Sequence, residues 1–331
     1  MRLVGGSSFV ETTPAPSSRR TRIAPTQSGR IRVLGTTGNT TNEALVASWR
    51  RLGFAAELVR AGDVLGTVRP DDVVVSRLDV EPGLDGVEPG LLELLLLERR
   101  GVRTINSAAA LLGVHDKLRT ARLLSSAGVP HPRTGLITRK SLRPEIDPPL
   151  VLKPRFGSWG HDVYCCSNES TLAERLDAIM RTSWFKRHGA IVQEVIPSCG
   201  HDLRVLVANG RVVGAAERVA APGEWRTNVS LGGSLRPAVV LDDTVELART
   251  AAAAVDADFV GVDLLPIRGG YTVLDLNGAV DFDDHYSIGD RDVFADVAQA
   301  LDLPSSQIHR VRRHSQKGAA PTSSLMRKER R

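Results

Sequence analysis

The sequence predicts a mixed α/β protein of several domains, α/β in its first third and α+β beyond it. Three observations predict this. The 331 residues exceed what one small core organises. Aliphatic strand-like runs alternate with helix-patterned stretches up to about residue 113, then give way to short strands with fewer helices. The chain is 42% hydrophobic but only 4% aromatic, so its core is aliphatic, as in α/β proteins.

Residues 1–30, rich in Ser, Thr, Pro and Arg, read as disordered. Order begins at 31–35 (IRVLG), a strand ending in glycine. Thr40 and Thr41 cap a helix running to about Leu52. Strands follow at 56–59 and 72–75. The stretch 88–100 (EPGLLELLLLERR) is an apolar helix ended by Gly101, and 102–105 is a strand. Asn106-Ser107 opens one helix and His115-Asp116-Lys117 another, broken by VPHP at 129–132. Strands at 150–154, 162–166 and 191–196 surround a helix at 171–181. Hairpin strands occupy 200–207 and 211–218, helices 243–255 and 291–301, and no fixed structure is expected beyond Pro304. No repeat is evident. The glycine pattern GTTGNT is not GxGxxG, which argues against a dinucleotide fold.

Thirteen of the 43 Lys and Arg, but only two of the 38 acids, lie in 1–30 and 309–331. The body between is therefore acidic, and basicity belongs to the tails. Nucleic-acid contact is expected at most weakly, through those tails. No apolar run reaches the roughly 18 residues that cross a bilayer, and the N-terminal stretch has no apolar signal core. Three cysteines, Cys165, Cys166 and Cys199, make neither a disulfide framework nor a zinc spacing. A cytoplasmic enzyme is the expectation.

The chemistry concentrates in two stretches. FVGVDLLPIRGGYTVLDLN (259–277) reads as a hairpin. Asp275 and Asn277 share a face, and a three-residue turn at 268–270 would set Asp263 opposite Asp275. Opposed like charges destabilise a sheet. Two readings fit: a hard cation on oxygen ligands, as Mg²⁺ prefers, or exposed acids on a solvated face. VLKPRFGSWG (151–160) ends an apolar strand in a lysine before a glycine loop. Gly157, Ser158 and Gly160 would let backbone N–H groups wrap a phosphate; an ordinary turn with an edge lysine is the other reading.

From about Asn106 to Asn277 the chain resembles the RimK-like ATP-grasp carboxylate–amine ligases. The resemblance rests on HDKLRTARLLSSAGVPHPRT, VLKPRFGSWGHDV, VQEVIPSCGHDLRVLVANGRVVGAAERVA, GEWRTNVSLGG and FVGVDLL…YTVLDLN, five segments in order. It implies an ATP-grasp fold behind a pre-ATP-grasp α/β domain at 31–113, a lid subdomain at 114–190, a metal-bearing subdomain at 191–304 and a basic tail at 305–331. It assigns the nucleotide phosphates to Lys117 and Lys153, beneath a lid loop with Gly157, Ser158 and Gly160. It assigns the adenine to Gln193, Glu194 and Val195, the ribose to Asp202, and the phosphates and substrate to Arg204, Arg226, Thr227 and Asn228. Asp263, Asp275 and Asn277 become the ligands of Mg²⁺, or of Mn²⁺ in its place. Asp275 departs from the family's usual glutamate. The stretch after Asn277, with Asp281-Phe282, Gly289 and Asp292, is more similar to the LysX-type branch, which joins amino acids to an acidic carrier protein. Asp281, Asp283, Asp284 and His285 there recognise an amine or form a solvated loop.

The implied reaction is ATP-driven amide formation. It would add an amino acid such as glutamate to a protein, peptide or small molecule through an acyl-phosphate, with a homo-oligomer as one assembly. Phosphoryl transfer needs charge neutralisation rather than a protein nucleophile, and two lysines with Arg204 and Arg226 supply it. Taken singly, Lys117 is also readable as a solvated helix residue, Arg204 as a strand ion-pair partner and Asp202 as a turn acid. A non-catalytic ATP-binding protein is the alternative on the same fold.

Overall fold

The computed structural model describes residues 29–197 and 199–304; the two tails read as disordered lie outside them, apart from Gly29 and Arg30. In chain order the elements are β1 (Ile31–Leu34), α1 (Thr40–Arg51), β2 (Ala56–Val59), α2 (Ala61–Thr67), β3 (Val73–Ser76), α3 (Leu91–Arg99), β4 (Arg103–Ile105), α4 (Ala108–His115), α5 (Lys117–Ser126), β5 (Thr134–Ile137), β6 (Leu150–Pro154), β7 (Tyr164–Cys166), α6 (Glu169–Ile179), α7 (Ser183–His188), β8 (Ala190–Glu194), β9 (His201–Ala208), β10 (Arg211–Val219), β11 (Ser234–Pro237), α8 (Asp242–Ala254), β12 (Phe259–Ile267), β13 (Gly270–Asn277) and α9 (Val293–Ala300). They build three sheets: parallel β2-β1-β3-β4, antiparallel β5-β8-β6-β7, and antiparallel β11-β10-β9-β12-β13.

The first sheet follows from its sequence. VVVS in β3 is buried on both faces, as parallel strands require. Asn39 caps α1 by accepting from the Asn42 amide. Its apolar stripe carries Leu45 and Trp49, both with no exposed surface. These pack with Phe259, Phe282 and Phe294 in one continuous core, and the Trp49 indole donates to the Phe294 carbonyl at 3.0 Å. The last helix thus returns to cover the first.

One expectation is corrected here. A boundary at 190/191 cuts β8, which pairs with β5 and β6 and so belongs with the second sheet. Phe282 and Tyr286, 4% and 3% exposed, are core residues, and Asp292 caps α9 by accepting from the Phe294 and Ala295 amides. Phe282 is thus placed by packing and Asp292 by capping. The α2, β5, α7 and β11 segments, too short to show a period, were not predicted. Among the described residues, no helix is long and apolar enough to cross a membrane, and the three cysteines are unpaired.

Candidate active site

Asp263 and Asp275 do stand opposite one another in β12 and β13, but not by the turn expected. Ile267 pairs with Gly270 across a two-residue turn, and a bulge at Leu274 then restores the Asp263–Asp275 register. Gly269 and Gly270 both adopt positive φ, +87° and +154°, which glycine alone takes at no cost. The bulge also brings Leu274 alongside Asp275 into the same cavity wall.

Each acid is met by two cations. On Asp263, 5% exposed, the Arg204 guanidinium closes a fork: Nε donates at 2.7 Å and Nη2 at 2.9 Å. Arg204 lies directly opposite on β9. Arg218 Nη2 adds a contact at 3.0 Å and Asn277 Nδ2 donates at 3.2 Å. Burial alone would raise the Asp263 carboxyl, but Arg204 and Arg218 outweigh it and hold the group well below the usual carboxylate range. Asp275 instead receives Lys117 Nζ and Lys153 Nζ, each 3.3 Å from its Oδ1. Burial raises this carboxyl too, and the two ammonium charges bring it below its ordinary value. Lys153 is 4% exposed at the end of β6, and burial pulls its ammonium down despite Asp275.

Lys117 is placed by its neighbours. Asp116 caps α5 through the Leu118 and Arg119 amides. Its carboxylate is gripped by Arg155 Nε and Nη2 at 2.7 and 2.6 Å, and the Lys117 amide donates to the Arg155 carbonyl. The glycine loop after Lys153 thereby fixes the start of α5 as well.

That loop docks on the segment 226–230. Arg226 Nη1 donates to the Gly160 carbonyl at 2.9 Å, and Ser230 Oγ to the Trp159 carbonyl at 3.0 Å. Gly160 has φ +76°, and a Cβ there would sit 2.7 Å from Asn228 Oδ1, so any larger residue would be strained and would push the Asn228 side chain aside. Gly157 meets only ordinary contacts and shows no such need. Arg226 is further forked to Glu224, at 3.0 and 2.7 Å.

A cavity of about 150 Å³ lies between the second and third sheets. Lys117, Lys153, Gly157, Ser158, Gly160, Gln193, Glu194, Asp202, Arg204, Arg226, Thr227, Asn228, Asp263, Asp275 and Asn277 all reach it. Val195 does not; Ile196 does, with Val151, Val163, Leu265 and Leu274 as an apolar slot. Gln193 is 3% exposed and donates to Thr134 Oγ1 at 3.1 Å. Asp202 does not suit the ribose role. It is 1% exposed, both oxygens face Arg218, and Thr227 Oγ1 donates to it at 2.7 Å. Its work is to hold Arg218.

Arg218 was missed because of a second bulge. Counting back across the Asn209-Gly210 turn pairs Arg211 with Ala208, but a bulge at Val213 shifts the register so that Arg218 faces Asp202. His131 was also missed. Its ring lies 3.5 Å from Gln193 Nε2, and burial together with the Lys153 charge lowers its pKa. Among the described residues no three His, Cys, Asp or Glu side chains converge as a metal site; the oxygen donors here are two carboxylates and one amide.

The RimK-like ATP-grasp domain model matches residues 114–301. The chain belongs to the RimK-like ATP-grasp family. A probable alpha-L-glutamate ligase of Aeromonas salmonicida is 30% identical over 224 residues, 66% of this chain and 74% of the relative. A tetrahydromethanopterin:alpha-L-glutamate ligase of Methanosarcina acetivorans is 32% identical over 221 residues, 63% and 67% of the two chains. Among solved structures, D-cycloserine synthetase DcsG superposes with TM-score 0.61 at 22% identity, over 82% of this chain and 98% of that one. A RimK domain ATP-grasp protein of Sphaerobacter thermophilus gives 0.58 at 17%, over 82% and 99%. These two likenesses show the fold. This RimK-like protein is an ATP-grasp ligase, an enzyme that forms carbon–nitrogen bonds. ATP-grasp ligases as a class use ATP and Mg²⁺.

Proposed function

We propose that the chain activates a carboxylate with ATP as an acyl-phosphate and passes the acyl group to an amine, releasing ADP and phosphate. The observation that supports this most is the meeting of Lys117 and Lys153 at Asp275, each at 3.3 Å, beside the arginine-held Asp263. Two ammonium groups, one buried and one half-buried, converging on one carboxylate are costly unless an anion of higher charge belongs there. A triphosphate supplies that charge, and its adenine fits the slot of Val151, Val163, Ile196, Leu265 and Leu274.

The donor set suits a hard cation. Asp263, Asp275 and Asn277 offer only oxygens, and the surrounding cations keep both carboxyls ionised. Mg²⁺ held there would neutralise charge on the transferring phosphoryl group. The chain does the rest. Lys117 and Lys153 hold phosphate oxygens, Arg226 and Gly160 keep the lid loop over them, and Asn228 reaches both sides of the reacting centre. Arg204, fixed by Asp263, presents its charge where the acyl-phosphate would form.

The relatives' names make glutamate the first amino acid to test, with a protein, peptide or small-molecule acceptor. Three unpaired cysteines fit a cytoplasmic enzyme. ADP release measured across carboxylate–amine pairs is the experiment. Turnover that needs both substrates and is lost in Lys153→Ala supports the reading; turnover indifferent to the carboxylate or to Lys153 overturns it.

A further inference from the structure

The cavity between the second and third sheets, about 150 Å³, is smaller than the roughly 300–1,000 Å³ of pockets that enclose drug-sized ligands. A nucleotide therefore needs the two sheets to part. The third sheet shares one continuous core with the first, so these two make one body. The unit that can swing is the one built on the second sheet, and what fastens it to the body governs the opening.

The fastener lies between β3 and α3, in residues 79–88. This segment closes on itself as a small loop. The Glu88 amide donates to the Asp79 carbonyl at 2.7 Å, the Asp79 amide to Glu88 Oε2 at 3.0 Å, and the Glu81 amide to the Gly86 carbonyl at 2.9 Å. Its side chains enter the second-sheet unit. Val80 and Leu84, 1% and 5% exposed, are buried with Leu150, Leu152, Trp184 and Phe185. Among the described residues they are the two buried members of that core from outside 137–192. Leu84 is also held at φ +58°, a left-handed backbone that leucine keeps only where its surroundings over-determine it. Residues of α7 converge on the next position. Ser183 Oγ donates to Asp85 Oδ2, the His188 ring donates to the Asp85 carbonyl at 2.9 Å, and Arg187 Nη1 stands 3.9 Å from Oδ2. At the neck, Asp79 Oδ1 accepts Ser158 Oγ of the glycine loop at 3.1 Å. The grip is incomplete, because Asp85 Oδ1 is buried with no hydrogen-bond partner among the described residues. An unmet buried acceptor disfavours the docked state and eases its release.

We propose that 79–88 is a clasp that holds the second-sheet unit against the body, and that Val80 and Leu84 leave its core each time a nucleotide enters or departs. The inference rests on the nucleotide reading of the cavity between the second and third sheets. The clasp sets the fraction of molecules whose cleft is open, and entry is slowed in proportion to that fraction.

Stopped-flow mixing of the full chain with a fluorescent ATP analogue and Mg²⁺ tests this. Leu84→Ala shrinks the buried anchor, so association and dissociation rates should both rise on the order of tenfold. Asp85→Cys with Ser183→Cys, in a Cys165→Ser, Cys199→Ser background, places two thiols where the side chains now touch, so that the clasp can be bolted by a disulfide. Oxidation should slow association by about tenfold or more, and reductant should restore it. The reduced form of that protein is its own folded control, so the proposal stays refutable if Leu84→Ala fails to fold. Association unchanged once mass spectrometry shows the disulfide formed, or rates unchanged in a folded Leu84→Ala, overturns the clasp and leaves the nucleotide reading standing. An analogue that does not bind the unaltered chain overturns that reading, and the proposal with it.

Discussion

Asp263 and Asp275 face each other across one hairpin, yet they are neutralised by different chemistry. Two arginines hold Asp263 in a fixed fork from strands of its own sheet. Two lysines reach Asp275 from outside that sheet, one on α5 and one on β6. A guanidinium fork is planar and stays charged, whereas an ammonium is a point charge on a flexible stem. The Asp263 side is therefore scaffold, built into β9, β10 and β12. The Asp275 side is adaptable, because Lys117 and Lys153 can turn to another anion without unpicking a sheet. The difference divides one acid pair into a rigid half and a responsive half.

That division can be broken by substitution. Asp263→Asn strands the Arg204 guanidinium, while Arg218 keeps Asp202, and should cost about 3 kcal/mol of stability, read as a lower urea midpoint, with loss of turnover. Asp275→Asn should cut ADP release by roughly 10²-fold or more while moving the urea midpoint little; Asp275→Glu should restore turnover. An equal stability loss in the two Asn variants would erase the distinction. Arg218→Lys keeps the charge but loses the fork on Asp202, and should destabilise by about 1–3 kcal/mol, again by urea titration. The smallest effect is in acid. Both carboxyls have pKa values lowered by folding, so their stabilisation is full above the unfolded value near pH 4 and is lost as pH falls through the folded values. Asp263→Asn should flatten that acid slope more than Asp275→Asn, as read from thermal midpoints between about pH 5 and 2.

The hairpin was legible because alternation and paired glycines are local signals. The opposition of its acids came out right through compensation: a turn one residue shorter than expected and a bulge at Leu274 cancel. No such cancellation rescued Arg218, whose partner depends on the bulge at Val213. Bulges leave no period in a sequence, so registers counted across them fail. Membership of β8 in the second sheet was illegible for a related reason. Its partners on β5 lie more than fifty residues away, and alternation says which face is buried without saying which strand is adjacent. Asp202 shows a further limit. Its sequence position is that of a ligand acid, but whether a carboxylate faces a cavity or an arginine is decided by the neighbouring strand.

The lysine end of this site also sets an order of events during synthesis. Lys153 precedes its carboxylate partner by 122 residues, and translation at roughly 5–20 residues per second makes that a delay of roughly 6–24 s. Throughout it, β6 can pair with its neighbours but cannot bury its terminal ammonium beside Asp275. The strands around Lys153 must wait, partly hydrated, for a hairpin made near the end of the chain. The cleft between the second and third sheets is thus among the last parts of the molecule to close on the ribosome, and a chain truncated before β13 would never assemble it.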